Sequence, residues 1–281
     1  DNLSQLSDRL DQGRIEIVSG GTVNFREGST TQAQGGQVTV SAGHRVFAES
    51  GSVIDVSGVR GVMLPMSTNN LLINVQGNEL RDSPANRDRD NLKNADVWID
   101  ARDLVLVPAG TGGYATDRYY TPGGLLEVSG YLANTAHRIG EWAAVGGTVT
   151  LSAQEVVAQK GAVFDVSGGS VSYQGGYIRT TNFLGSDGRL YSVGQARADM
   201  QFYGPGAGFI REHKLGGKVA PNLTEVWTSP FGKARVTTRW EDGYTIGRDA
   251  GSLVLSTPTS VFEADIVADV VTGSRQTTAR P

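Results

Sequence analysis

The chain has 281 residues, 38 glycines, no cysteine and a formal net charge of −4. That length can bury a substantial core. The missing thiols exclude disulfides, thiolate metal sites and cysteine nucleophiles. Charges of both signs are interspersed, and without a dense basic stripe there is no nucleic-acid footprint. No run of 18 apolar residues is present to span a bilayer as a helix. The glycines follow no Gly-X-Y period, which excludes collagen; they punctuate short alternating apolar runs, as in many-stranded β proteins.

The start at Asp1-Asn2-Leu3-Ser4 has no Met and no secretory signal, and the chain stops at Arg280-Pro281; a mature protein or an internal fragment is expected. Residues 1–10 are a polar lead-in or short helix. Strand patterning begins at Arg14: Ile15 and Ile17 alternate with Glu16, Ser19-Gly20-Gly21 turns the chain, and Val23 and Phe25 repeat the spacing.

Residues 35–58 read GGQVTVSAGHRVFAESGSVIDVSG, and residues 146–168 read GGTVTLSAQEVVAQKGAVFDVSG. The Gly-Gly pairs are 111 positions apart and the Asp-Val-Ser-Gly endings 110. The two-residue period makes Val38/Val149, Val40/Leu151, Ile54/Phe164 and Val56/Val166 equivalent core positions, with Asp55 and Asp165 outward. Looser echoes occur at residues 15–20, at Gly124 through Gly130 (with Glu127 in the place of Asp55), at residues 251–256 and at residues 261–266. Asp96 through Asp100 and Leu104 through Val107 read as two further consecutive rungs. Strands this short bury an apolar face only by stacking, with glycine at the bends. The expected fold is all-β: one right-handed parallel β-helix over residues 1–281, its hand taken from the usual parallel crossover rule. Residues 59–95, 108–123 and 170–247 break the rhythm and are expected to loop out as excursions, where specific binding would reside.

Residues 146–153 (GGTVTLSA) followed by Asp165-Val166-Ser167-Gly168-Gly169 resemble the β-helical passengers of large filamentous haemagglutinin-type exoproteins. Leu125 through Trp142 and Trp240 through Leu255 are also similar to such segments. The resemblance covers about residues 13 to 273. It implies two-partner secretion through an outer-membrane partner, a secreted or cell-surface location on a Gram-negative bacterium, and a role in adhesion, biofilm cohesion or display of a distal effector. The expected work is adhesive or structural, on a host or neighbouring-cell protein or glycan; the alternative is a filament or sheath subunit that self-associates through its aromatic and charged loops. The resemblance transfers no catalytic motif. The absence of cysteine fits a chain exported unfolded.

No catalytic, cofactor-binding or metal-ligating residue is assigned, and no cofactor is expected. The recurrent carboxylates Asp55, Asp165 and Glu127 are read as solvent-facing strand residues near turns, since repeats about 110 residues apart need not be neighbours. Asp96, Asp100 and Asp103 with Arg102 form the densest acidic cluster. It is the one local start for a polysaccharide lyase or hydrolase or for a cation site, and a solvated turn is the plainer reading. His44, His137 and His213 have no pairing spacing. Gly204-Pro205-Gly206-Ala207-Gly208 lacks a strand-to-helix context and reads as a sharp turn. Between residues 170 and 247, Tyr173, Tyr177, Phe183, Tyr191, Phe202, Tyr203, Phe209, Trp227, Phe231, Trp240 and Tyr244 either pack as a satellite core or expose rings for sugars or a protein partner.

Overall fold

The computed structural model describes residues 13–135, 139–206, 210–215, 223–228 and 235–276; the lead-in at residues 1–10 lies outside them. The chain opens with β1 (Arg14–Ser19), β2 (Thr22–Phe25) and β3 (Thr30–Gln32), followed by β4 (Gln37–Ala42), β5 (Arg45–Ala48) and β6 (Val53–Asp55). A first insertion carries β7 (Val62–Pro65), β8 (Asn70–Asn74), α1 (Pro84–Arg87), β9 (Asp96–Asp100), β10 (Val105–Val107), β11 (Arg118–Tyr120), α2 (Ser129–Ala133) and α3 (Ile139–Ala143). Next come β12 (Thr148–Ser152), β13 (Glu155–Ala158) and β14 (Val163–Asp165). A second insertion carries β15 (Ser170–Gln174), β16 (Gly176–Gly185), β17 (Leu190–Ser192), β18 (Phe202–Pro205), β19 (Ile210–Leu215), β20 (Leu223–Thr228), β21 (Val236–Glu241) and β22 (Tyr244–Gly247). The described chain closes with β23 (Ser252–Ser256), β24 (Thr259–Phe262) and β25 (Asp265–Val267).

The protein is mostly β, with several parallel sheets. Three of them have the strand orders β1-β4-β12-β23, β2-β5-β13-β24 and β3-β6-β14-β25, all parallel. The chain therefore visits the same three sheets in the same order four times. The two copies of the repeat are adjacent layers: Val38 registers with Val149, Val40 with Leu151 and Ile54 with Phe164. These six side chains, with Val56 and Val166, are at most 2 % exposed. Full burial of each stabilises by roughly 1.5–3 kcal/mol. Ile15 and Ile17 of β1 extend the same rows in one direction, and Leu253 and Leu255 of β23 extend them in the other.

The rows are continuous because the backbones approach closely at one corner. A Cβ on Gly36 would lie 1.9 Å from the Gly13 carbonyl oxygen, one on Gly147 2.2 Å from that of Gly36, and one on Gly251 1.7 Å from that of Gly147. The same carbonyls accept the N–H of Gln37, Thr148 and Ser252 at 2.8–2.9 Å. Any side chain here would part the layers.

Between β6 and β12 the interrupting segments differ from the excursions expected from sequence, whereas β15 through β22 span residues 170–247. Everything between β6 and β12 is one insertion. Asp96–Asp100 is not a rung: β9 pairs antiparallel with β8, and β10 pairs antiparallel with β11. The alternation there is that of half-buried hairpin strands, which share the period of two with stacked ones. The Gly124–Gly130 echo is likewise no layer; only isolated bridges form there, and Ser129 opens α2. Gly204 lies inside β18, antiparallel to β16, rather than in a sharp turn, and takes φ +148°, a conformation glycine tolerates. Both insertions leave after the Asp-Val-Ser-Gly ending and begin with strands, β7 and β15, that still stack in parallel on each other; β22 covers the far side of β15 antiparallel. Beyond this point they form a lobe around a second core that includes Ile73, Val97, Leu126, Phe183 and Phe202.

Gly147→Ala is expected to cost about 2–4 kcal/mol of unfolding free energy, because a whole backbone layer has to shift. Gly20→Ala, where a Cβ meets nothing within 4 Å, is expected to stay within about 1 kcal/mol of the wild type. Urea unfolding followed by circular dichroism makes the comparison; equal costs would refute the stacking account.

Candidate functional site

The stacked sheets place the recurrent acids side by side. Asp55 and Asp165 are register partners in β6 and β14, so the separation of about 110 residues in sequence becomes one inter-strand step. Both work locally: Asp55 Oδ1 accepts the Ser57 N–H at 2.8 Å, and Asp165 Oδ1 accepts the Ser167 N–H at 2.9 Å. Gln32 donates to Asp55 Oδ2 at 2.7 Å, which offsets the like-charge contact. These carboxylates build the corner from which the insertions leave. Glu127 keeps the same local habit, accepting the Ser129 N–H at 3.0 Å, but sits far from that row. It is 7 % exposed and lies 3.4 Å from Arg118 and 3.8 Å from Arg81.

The acidic cluster of residues 96–103 does not converge on one face. Asp96 is exposed and accepts a hydrogen bond from Asn74. Asp100, at the end of β9, turns inward and is 1 % exposed. Its Oδ1 accepts from the Arg102 backbone N–H and Nε at 3.1 and 2.9 Å, and its Oδ2 from Arg102 Nη2 at 2.6 Å and Arg239 Nη2 at 2.8 Å. Arg239 Nε also donates to Glu241 at 2.8 Å, and Glu241 lies 3.3 Å from Arg102 and 3.6 Å from Arg275. Asp103 is 3.8 Å from Arg239. The two insertions are thus joined by three carboxylates and three guanidiniums. Residues 239–275 contribute half of these groups from over a hundred positions away, so no local spacing signals the network.

The electrostatics follow from this packing. Hydrogen bonding to Asp100 raises the Arg102 pKa further above its already high range. Arg239 holds the Glu241 carboxyl below the usual carboxylate range, against a smaller opposing effect of burial. Burial, with Asp100 as a neighbour, pushes Asp103 up. A buried carboxylate with four donors on it is committed to structure: its lone pairs are already taken, which leaves none for a cation. Among the described residues no group of three or more His, Cys, Asp or Glu could hold a metal ion.

The histidines do not meet. His44 is exposed at a turn, His137 lies outside the described residues, and of His213 only its place in β19 is described. The aromatics divide. Phe183 and Phe202 are fully buried with ring centroids 5.6 Å apart, and Tyr173 stacks on Tyr244 at 4.9 Å. Tyr177, Tyr203 and Trp240 instead stand 56–59 % exposed. The side chains of Phe209, Trp227 and Phe231 lie outside the description. A cleft of about 170 Å³ opens beside residues 67–71, α2 and α3, with the Asn69 and Tyr173 side chains on its wall; Glu141 is the one acid among its lining residues. Burial lifts the Tyr173 hydroxyl to about 12, so the phenol there stays protonated.

Comparison with protein-family models, with curated proteins and with solved structures finds no match. The lobe holds a self-neutralised charge network inside and exposed rings outside.

Asp100→Asn is expected to cost about 3 kcal/mol or more, because it strands Arg102 and weakens the hold on Arg239. Chemical denaturation measures it, and a loss below about 1 kcal/mol would show the network to be ornamental. Glu241 adds a pH signature. Its folded pKa lies below the unfolded one, so its contribution is complete above the ordinary carboxylate range and is lost as pH falls through the lowered value. Asp103, raised, acts with the opposite sign, disfavouring the fold as pH rises towards its folded pKa. The stability of Glu241→Gln is expected to fall less steeply than wild type between about pH 5 and pH 3, as read from urea midpoints across that range.

Proposed function

We propose that the chain is a non-catalytic module of a secreted or cell-surface protein: a right-handed parallel β-helix that carries a binding lobe on one corner. The observation that carries this reading is the fourfold passage through three parallel sheets, with both insertions leaving after the same Asp-Val-Ser-Gly ending. Parallel layers joined by hydrogen bonds along one axis resist bending and extension, which suits a spacer that holds a contact surface away from its anchor. The insertions then serve as that surface. The resemblance to filamentous haemagglutinin-type passengers supports the same reading. It extends it to export through an outer-membrane partner and to display on a Gram-negative cell, where a chain without cysteine crosses unfolded with nothing to cross-link.

The partner on this reading is a protein or glycan of a host or neighbouring-cell surface. An acid–base enzyme on the same scaffold is disfavoured by the committed state of Asp100 and by the lone acid in the lobe's cleft.

The test is a retention assay paired with a turnover assay. Fluorescently labelled full-length chain is applied to whole cells and to immobilised glycans, and the soluble phase is assayed for new reducing ends and unsaturated sugars. Saturable retention without product is the expected result. Product accumulating in proportion to protein and time would replace the adhesive reading with an enzymatic one.

A further inference from the structure

The outer face of the lobe carries a strip that neither the cores nor the charge network uses. Tyr177 and Trp240 are register partners across β16 and β21, edge to face with centroids 5.1 Å apart. Their exposures are 59 % and 56 %. Trp240 Nε1 donates to Asp242 Oδ1 at 3.0 Å, which fixes the indole. Arg179 is two residues beyond Tyr177, on the same face of β16. Its guanidinium carbon stands 5.4 Å from the centroid of the Trp98 ring. Beyond Trp98, Arg235 Nη2 donates to the Asp96 carbonyl at 3.1 Å. The strip thus sets a guanidinium beside rings: Trp240 and Tyr177, then Arg179 on Trp98, with Arg235 at the Asp96 end of β9.

Two properties distinguish these arginines from those of the charge network and from the pair on Glu127. Arg102, Arg239 and Arg275 share Asp100, Asp103 and Glu241, while Arg81 and Arg118 share Glu127. Among the described residues, Arg179 and Arg235 have no carboxylate partner. Both are exposed, so each presents donors to solvent. The strip is also held in place before any ligand arrives. The Asn70 amide accepts the Arg179 N–H at 2.8 Å and donates to the Tyr177 carbonyl at 3.2 Å, so the side chain stands in for a neighbouring strand. Trp98 N–H donates to Thr181 Oγ1 at 2.8 Å, tying β9 to β16. Little ordering remains for a ligand to impose.

We propose that this strip binds an acidic glycan, a linear polysaccharide whose sugars carry carboxylates. Exposed aromatic faces take the apolar C–H face of a pyranose. A guanidinium with its fork unoccupied takes a carboxylate through two parallel hydrogen bonds, and one resting on an indole keeps that fork turned outward. A polymer alternating ring faces with carboxylates matches a protein strip that sets a guanidinium beside rings. Nucleic acid fits less well, since two cations on a chain of net charge −4 cannot neutralise a phosphate at every residue. The proposal rests on the adhesive reading and narrows it to one face and one class of partner.

Biolayer interferometry on the full chain tests it, with immobilised polygalacturonate, its methyl-esterified form and single-stranded DNA as probes, each at 50 and 300 mM NaCl. Polygalacturonate is expected to bind, and to bind more weakly at the higher salt. Esterification, Arg179→Met and the pair Tyr177→Ala/Trp240→Ala are each expected to weaken binding by about tenfold or more, with unfolding midpoints unchanged. Arg179→Lys, which keeps the charge without the fork, is expected to fall between wild type and Arg179→Met. Equal binding to the esterified polymer or to DNA, or variants that bind like wild type, overturns the assignment. Should wild type then still be retained on cells, only the strip assignment is lost; with no retention on any surface the adhesive reading goes with it.

Discussion

Four backbones lie directly over one another where Gly13, Gly36, Gly147 and Gly251 meet, and each approaches the next too closely for any Cβ. The layers hydrogen-bond in parallel at that corner, and parallel bonding fixes register. Register in turn decides which side chains share a row. A slip of one residue between layers would turn Val38, Val40, Val149 and Leu151 to solvent and bring their polar neighbours inside. The glycine corner, with no side chain of its own, therefore sets the composition of the core.

The same stacking determines how the insertions can sit. They leave from this same corner, where Gly147 N–H bonds the Val56 carbonyl, Gly58 and Gly169 stack closely, and the carbonyls of Ala143 and Ala144 accept the N–H groups of Val59 and Gly169. The returning chain after α3 is thus bonded into the gap between the two departing ones. Two insertions that start one layer apart and run side by side have to neutralise each other's buried polar groups. The Asp100–Arg102–Arg239–Glu241 network does so at the junction, and Arg102 and Arg275 both lie over the Tyr244 ring, at 5.7 and 4.3 Å. Rigidity passes from the layers into the lobe through charge-assisted bonds as well as apolar packing.

The legible part of the sequence is the part that repeats. Identical corners demand identical chemistry, so Gly-Gly, the Val-Thr-Val alternation and Asp-Val-Ser-Gly recur wherever the chain makes the same bend, and the equivalent core positions follow from the period of two. The lobe was harder to read for a matching physical reason. A half-buried hairpin strand such as Asp96–Asp100 has the same alternation as a stacked one, and only its partner distinguishes them. Glu127 shows the limit most clearly: it makes the same two-residue hydrogen bond as Asp55 and Asp165, so its local sequence is similar, yet it belongs to a buried ion pair. Local turn chemistry and layer membership are separate properties, and a motif reports only the first. The charge network was illegible because half its members come from residues 239–275. The division of the aromatics into buried and exposed was likewise invisible, since Tyr173 and Tyr177 differ in surroundings rather than in local pattern.

The two ends of the stack show what the layers need from their neighbours. Leu151 and Phe164 are fully buried in the third layer, whereas their register partners Leu255 and Ile266 in the fourth are 37 % and 53 % exposed. Nothing in their own sequence separates them: the residues are equally apolar and occupy the same rows. What differs is the presence of a layer above. Each layer's contribution therefore depends on its neighbours on both sides, as in a one-dimensional array, and one further parallel layer would cover most of the surface that Leu255 and Ile266 still expose. The lobe is arranged differently. The charges of its buried network are neutralised internally, and its cores are closed by strands from both insertions. Its exposed rings stand on strands already paired on the sheet, so it needs no further layer to hold its shape. A surface for contact is best placed on such a self-sufficient lobe, because its geometry does not depend on what lies above or below it along the stack.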